Sequence, residues 1–200
     1  MSPKVGMEAI RRKQILDATF NCLIKKGYHG VTMQDVADES KVSKGLLHYY
    51  FQNKENLFFE MLDVIVQKFV EGVEEDLDPL NDPKEKLKRV IHHFIKTIDD
   101  YREVSTALMY YWGQINTQEE IKKRLKNHYS MYRKIITAIL NEGIVQGDFK
   151  KINVDHFSAI ISGVVDGLFL QKILDEELFD VEKMIETIED LTESFVYAHN

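Results

Sequence analysis

Val31-Thr32-Met33-Gln34-Asp35-Val36-Ala37-Asp38-Glu39-Ser40 runs into Lys41-Val42-Ser43-Lys44-Gly45-Leu46-Leu47-His48-Tyr49-Tyr50-Phe51, and the reading of this stretch decides the fold. Thr32 with Asp35 three positions on has the form of a capping box, so a short helix starts at Thr32 and turns Met33, Val36 and Ala37 inward. That helix ends near Ser40. Ser43 caps the next one, Lys44 to Phe51, whose inward residues are Leu47 and Tyr50 or Phe51, assisted by Val42. Two short helices joined by a tight turn and packed on a longer one make a helix-turn-helix. The second helix of such a unit lays its first turns in the major groove, so its outer face must be polar or aromatic. Lys44, His48 and Tyr49 supply that face, and Gly45 removes bulk where backbone approaches DNA. The residues leave one alternative open, a plain αα-hairpin with a solvated Lys-His-Tyr face.

Upstream, the longer helix is expected from about Glu8 to Lys26, because Leu16, Phe20, Leu23 and Ile24 fall on one apolar stripe. It stops at Gly27, with Lys25 and Lys26 in the last turn, where the helix dipole favours cations. Cys22 near its end is expected to be a small buried residue rather than a nucleophile. Residues 1–55 carry nine basic and six acidic side chains, a balance of +3, while the remainder of the chain stands at -10. A whole-chain charge of -7 argues against nucleic acid, but this split allows an N-terminal part that meets phosphate.

Composition removes other classes. The chain has 200 residues, 44% hydrophobic and 30% charged, which is globular and sufficient for one domain or two small ones sharing a core. Its three prolines, Pro3, Pro79 and Pro83, leave the long C-terminal stretch without helix breakers. Phe157 to Leu170, interrupted by Asp166 and two glycines, is too short for the ~20 residues a bilayer needs. Met1 to Lys13 is basic but has no apolar run of the kind a signal peptide carries. A single cysteine excludes an internal disulfide framework and any multi-cysteine zinc site, so a reduced, cytoplasmic protein is expected. His92 and His93 point about 100° apart on a helix, and His128, His156 and His199 have no partner at ligand spacing, so no metal site is expected. No phosphate-binding glycine loop or nucleophile elbow occurs, and neither a catalytic residue nor a cofactor is expected.

Downstream, a fourth helix runs from Lys54 to about Leu77 and a fifth opens at Asp82-Pro83 and continues to about Ile98. A sixth covers Tyr101 to Ile115. A seventh, with Thr117 to Glu120 as its capping box, ends near Asn141. The eighth is apolar over more than one face, through Phe157, Ile161, Val164 and Leu168, and the ninth carries Met184, Ile188, Leu191 and Phe195 on one stripe. Paired with their copies across a two-fold axis, these two helices make a four-helix bundle, so all eight residues are candidates for a dimer interface. Gly163 and Gly167 would let the backbones approach closely.

The run from Val31 to Ala37, the run from Val42 to Phe51 and the following Lys54-Glu55-Asn56-Leu57 closely resemble the DNA-binding segment of the TetR family of transcriptional regulators. Ile15 to Leu57 resembles that family's N-terminal domain almost throughout, including the Gly27-Tyr28 break. Pro3-Lys4-Val5-Gly6-Met7 with Ile10-Arg11-Arg12 is similar to the subgroup containing the choline-responsive repressor of betaine synthesis. By this resemblance Thr32 and Met33 meet the DNA backbone, and Ser43 donates to phosphate. Lys44, Gly45 and Leu46 form the base-reading turn. His48, Tyr49 and Tyr50 form the aromatic cluster on sugars, phosphates and thymine methyls, and Lys54 contacts phosphate. Leu46 stands where the family frequently has threonine and His48 where tyrosine is usual, so no operator sequence carries over.

The resemblance also implies a small-effector pocket among helices four to seven. Its candidate lining is Met61, Ile65 and Phe69 with the aromatics Phe94, Tyr110, Trp112, Tyr129 and Tyr132. Asp166 has the character of a cation anchor, but Asp166-Gly167-Leu168 recurs in family members with different effectors, which implies a structural role. The expectation is an all-α chain of about nine helices. Residues 1–53 form a three-helix helix-turn-helix domain, and residues 54–200 a helical effector-binding and dimerisation domain. Its expected function is a ligand-responsive regulator, a repressor that binds a palindromic operator as a homodimer. The alternative is an effector-independent, DNA-bound nucleoid or division-associated protein of the same fold.

Overall fold

A computed structural model of the chain describes residues 3–198, with side chains from residue 7 onward except Ser105. The expectation for His199 falls outside these residues, as do the side chains of Pro3 to Gly6, which carry part of the subgroup resemblance. Among the described residues the helices are α1 (Pro3–Gly30), α2 (Met33–Ser40), α3 (Lys44–Tyr50), α4 (Lys54–Leu77), α5 (Pro83–Asp100), α6 (Arg102–Trp112), α7 (Glu119–Gln146), α8 (Val154–Leu174) and α9 (Val181–Val196). Extended pairing among them is confined to an isolated antiparallel bridge between Phe149 and Tyr197. The all-α expectation holds.

Boundaries moved where packing outweighed local signals. α1 starts at Pro3 rather than near Glu8, and Gly27 breaks it at φ 66°, ψ 165° before one more turn to Gly30. The capping box expected ahead of α7 does not form, because the Thr117 hydroxyl donates to the carbonyl of Gln114 at 3.0 Å and Gln118 is the N-cap without a side-chain bond. α7 also passes Asn141 and runs through Gly143 to Gln146, where Gly147 at φ 84° ends it. Gly143 is retained inside that helix by space: an added Cβ would sit 2.1 Å from the buried Phe149 ring.

Two apolar clusters organise the molecule. One joins α1, α2 and α3 (Ile15, Leu23, Val36, Leu47) to the first turns of α4 (Leu57, Phe58, Leu62) and to Tyr111 of α6. The other joins the far half of α4 (Val70, Val73) to α5, α7, α8 and α9. Each fully buried Leu, Ile or Phe contributes about 1.5–3 kcal/mol relative to exposure, so neither half of α4 is a mere connector. The residue 53/54 division therefore falls at the start of a helix that packs into both clusters.

α8 corrects a length argument. As a helix it spans Val154–Leu174, 21 residues with a window of mean hydropathy 1.5, long and apolar enough by length and composition to cross a membrane. Only 22% of that window is buried within the single chain.

Candidate functional site

The recognition unit is built by caps. Thr32 accepts from the Asp35 N–H at 3.2 Å, and the Asp35 carboxylate accepts from the Thr32 N–H at 2.8 Å, so the box starting α2 is complete. Lys26 reaches the same carboxylate at 2.7 Å. That ammonium, with the Thr32 hydroxyl and N–H, holds the Asp35 pKa down to about 2. Lys41 closes α2 in the left-handed region at φ 55°, and Val42 N–H donates back to Ala37 at 3.0 Å. Ser43 then accepts from Leu46 N–H at 3.2 Å to start α3. These bonds fix the angle between α2 and α3 within a few residues of chain.

On α3, Leu47 is buried, while Lys44, Gly45, His48 and Tyr49 are exposed, Tyr49 by 75%. Thr32 and Ser43 are exposed as well, and Met33, Leu46 and Tyr50 are half-buried at the margin of this face. Tyr49 and Tyr50 meet edge to face at 5.2 Å. One candidate is displaced from this group. Lys54 turns inward, its ammonium donating to the Tyr28 carbonyl and lying 4.5 Å from the centroid of the Tyr28 ring. Burial pushes its pKa down. Lys54 thus secures the chain just past the Gly27 break instead of projecting toward phosphate.

Behind the unit, α4, α5, α6, α7 and α8 line a cavity of about 140 Å³. Of the expected lining residues, Ile65, Phe69, Phe94, Trp112, Tyr129 and Tyr132 are there. Met61 and Tyr110 are not. Met61, one turn before Ile65, is buried in the cluster around the helix-turn-helix. Tyr110 faces the other way and packs on Tyr28 at 4.7 Å and His29 at 5.5 Å, because α6 docks on the end of α1.

The cavity also has polar lining that periodicity does not assign to it. His128 lines the cavity and sets its Nε2 2.7 Å from Asp63 of α4. Thr97 and Ser162 also face it, their hydroxyls donating to the carbonyls of Phe94 and Ser158. Asp166, assigned a structural role from its sequence run, lies on the wall and accepts from the Tyr129 hydroxyl at 2.7 Å. Burial raises the Asp166 pKa, and the Tyr129 bond opposes that rise. A helix that is apolar nearly all round hides the one signal available, an acid in the middle of its run.

The proposed interface residues divide. Phe157 and Ile161 are buried inside the protomer, Phe157 stacked on Phe195 at 5.6 Å, because α8 packs on α5 and α7. Val164, Leu168, Met184 and Ile188 are half-buried, whereas Leu191 and Phe195 are more than half exposed. Ile160, Leu170 and Leu174 continue the exposed apolar face along α8.

A family model described as bacterial regulatory proteins, tetR family, matches residues 15–61, and one described as YsiA-like protein, C-terminal region, matches residues 57–194. The chain is 27% identical to the HTH-type transcriptional regulator BetI of Agrobacterium fabrum over 172 residues, 86% of this chain and 81% of that protein. A transcriptional regulator from Saccharomonospora viridis, solved in complex with choline, shares the fold at a TM-score of 0.84 and 22% identity, covering 96% of this chain and all of that one. The regulator FadR of Bacillus subtilis, solved with stearoyl-CoA, aligns at a TM-score of 0.73 and 25% identity, over 90% and 96% of the two chains.

Proposed function

The chain belongs to the TetR family of bacterial transcription regulators, and from that premise we propose a repressor that binds a palindromic operator as a homodimer and leaves it when a small molecule fills the α4–α8 cavity. Residues 1–53 act as the DNA-binding unit, and residues 54–200 hold effector and partner, with α4 serving both. The carrying observation is the face past the Ser43 cap, where Lys44, His48 and Tyr49 stand exposed while Leu47 anchors the helix from behind.

Gly45 and Leu46 complete the base-reading turn with Lys44; Thr32, Met33 and Ser43 meet the DNA backbone; and Tyr50 joins His48 and Tyr49 against sugars, phosphates and thymine methyls. Two copies present their α3 helices to successive major grooves, about 34–36 Å apart. The second copy covers the apolar face formed by Ile160, Leu170, Leu174, Leu191 and Phe195, which otherwise stands in water. The protein works in the cytoplasm, where the operator is.

Relatives of this fold are known with ligands as different as choline and stearoyl-CoA. The cavity favours effector control over the effector-independent alternative. Mapping bound sites across the genome tests the reading. A few promoter palindromes, vacated when the effector accumulates, support it. Many scattered sites that no metabolite releases would overturn it.

A further inference from the structure

The cavity has a chemical character that narrows its ligand, given that it is the effector site proposed above. Phe69, Phe94 and Tyr132 form a continuous aromatic wall, with centroids 5.5 Å apart for Phe69–Phe94 and Phe94–Tyr132 and 5.6 Å for Phe69–Tyr132. Tyr101 and Trp112 extend it. Asp166 is the carboxylate on this lining, oriented by Tyr129 at 2.7 Å. None of the described residues lining the cavity is Lys or Arg. His128 has its Nε2 turned to Asp63 and is not placed to pair with Asp166.

We propose that the ligand is a compact organic cation with an alkylated ammonium head, held between the aromatic wall and the Asp166 carboxylate. The faces of aromatic rings are the negative ends of their quadrupoles and attract a cation without needing a hydrogen-bond donor from it. An alkylated ammonium has few or no N–H groups and weaker hydration than a primary ammonium, so it enters an apolar space at lower cost. A carboxylate within that space neutralises it, whereas an anionic ligand such as an acyl-CoA would meet a buried like charge and no cation to pair with.

Titration calorimetry on the full-length protein tests this with choline, tetraethylammonium and benzyltrimethylammonium. Each is compared with its uncharged isostere carrying carbon in place of nitrogen, and stearoyl-CoA is titrated alongside. At least one cation should bind once per protomer and ~10-fold or more tighter than its isostere, a gap of ~1.4 kcal/mol. Asp166→Asn should narrow that gap. If Asp166→Asn does not fold, Trp112→Leu should narrow it, the cation losing more affinity than its isostere. Equal binding of cation and isostere, no binding by any of the three cations, or tight binding of stearoyl-CoA would overturn the assignment. Operator release separates the two readings. A cation that binds without releasing DNA removes the effector role and leaves the ligand class standing; release by an anion does the reverse.

Discussion

His128 on α7 holds Asp63 on α4, Nε2 to Oδ1, at 2.7 Å, while its ring forms part of the cavity wall. Arg124, one turn earlier on α7, pairs with the same carboxylate. A side chain that touches both the ligand space and the helix leading to the DNA unit is placed to pass a change from one to the other. The carboxylate is 41% exposed, so the pair itself contributes little to stability, under about 1 kcal/mol. Its value is positional. Asp63→Asn should leave effector affinity and ligand-free operator affinity within about threefold of the parent. It should reduce the ligand's effect on operator affinity by roughly tenfold, in the range of ordinary coupling energies. Operator binding measured with and without saturating ligand gives both quantities, and an undiminished ligand effect would show that the coupling runs elsewhere.

Lys44 and Lys54 are both basic and only ten positions apart in sequence, yet they face opposite environments. Lys44 is exposed on α3, and Lys54 lies against the Tyr28 ring with its ammonium on the Tyr28 carbonyl. Lys44→Ala should lower operator affinity and reduce the slope of log K against log salt by about one, with no change in Tm. Lys54→Ala should leave that slope unchanged and lower Tm, since it frees a backbone carbonyl and a packed stem, a loss of about 1–2 kcal/mol. A slope that falls for Lys54→Ala would return that residue to the phosphate contacts.

The contrast between these lysines indicates what the amino-acid order discloses. The recognition unit is legible because its determinants are local: Thr32 and Asp35, Ser43 and Leu46 act across three residues. The cavity is legible only in part. Met61 and Ile65 are one turn apart on nearly the same face of α4, yet only Ile65 reaches the ligand space, because Met61 is buried in the cluster where α6 docks on the DNA unit. That docking rests on contacts distant in sequence, among them the Tyr111 hydroxyl donating to Tyr28 at 3.3 Å. Periodicity has no access to such pairs. Asp166 was visible as an unusual acid in an apolar run, but its direction depends on Tyr129 from another helix.

The uncovered apolar face supplies a test of assembly. Leu191 is 59% exposed on α9, beside Phe195 at 56%, and neither exposure is explained within one chain. A carboxylate at Leu191 costs the protomer little, because the site is wet there, but it would be buried unpaired between two copies. Leu191→Glu should therefore convert the proposed dimer to protomers in light scattering, with helix content retained by circular dichroism. Operator affinity should fall by at least about 100-fold, since each half-site then binds alone. A variant that remains dimeric would move the interface away from α9.

Gly143 tests the packing that carries α7 past its expected end. Phe149 is 3% exposed and stacked on Tyr197 at 5.5 Å, so the ring has no free direction in which to retreat from a new methyl group. Gly143→Ala improves helix propensity by up to ~1 kcal/mol, but overpacking of this kind costs about 1–3 kcal/mol or more. The clash should win, with Tm falling by several degrees in thermal unfolding. A rise in Tm would show that Phe149 can move.

Asp35 gives a pH signature for the recognition unit. Its pKa is lowered from 3.8 to about 2 by Lys26 and by the Thr32 hydroxyl and N–H, so the native state favours the ionised carboxylate more than the unfolded chain does. The sign follows from linkage: this contribution is fully present above the unfolded value near pH 4 and disappears as pH falls through about 2. Other carboxylates titrate in the same window, so the difference between parent and Asp35→Asn is the informative quantity. Asp35→Asn should be less stable at neutral pH, because the amide cannot reproduce the charged bond to Lys26. The two denaturation midpoints should converge between about pH 4 and pH 2. Parallel curves across that window would mean that the capping box, though formed, keeps no preference for the charged form.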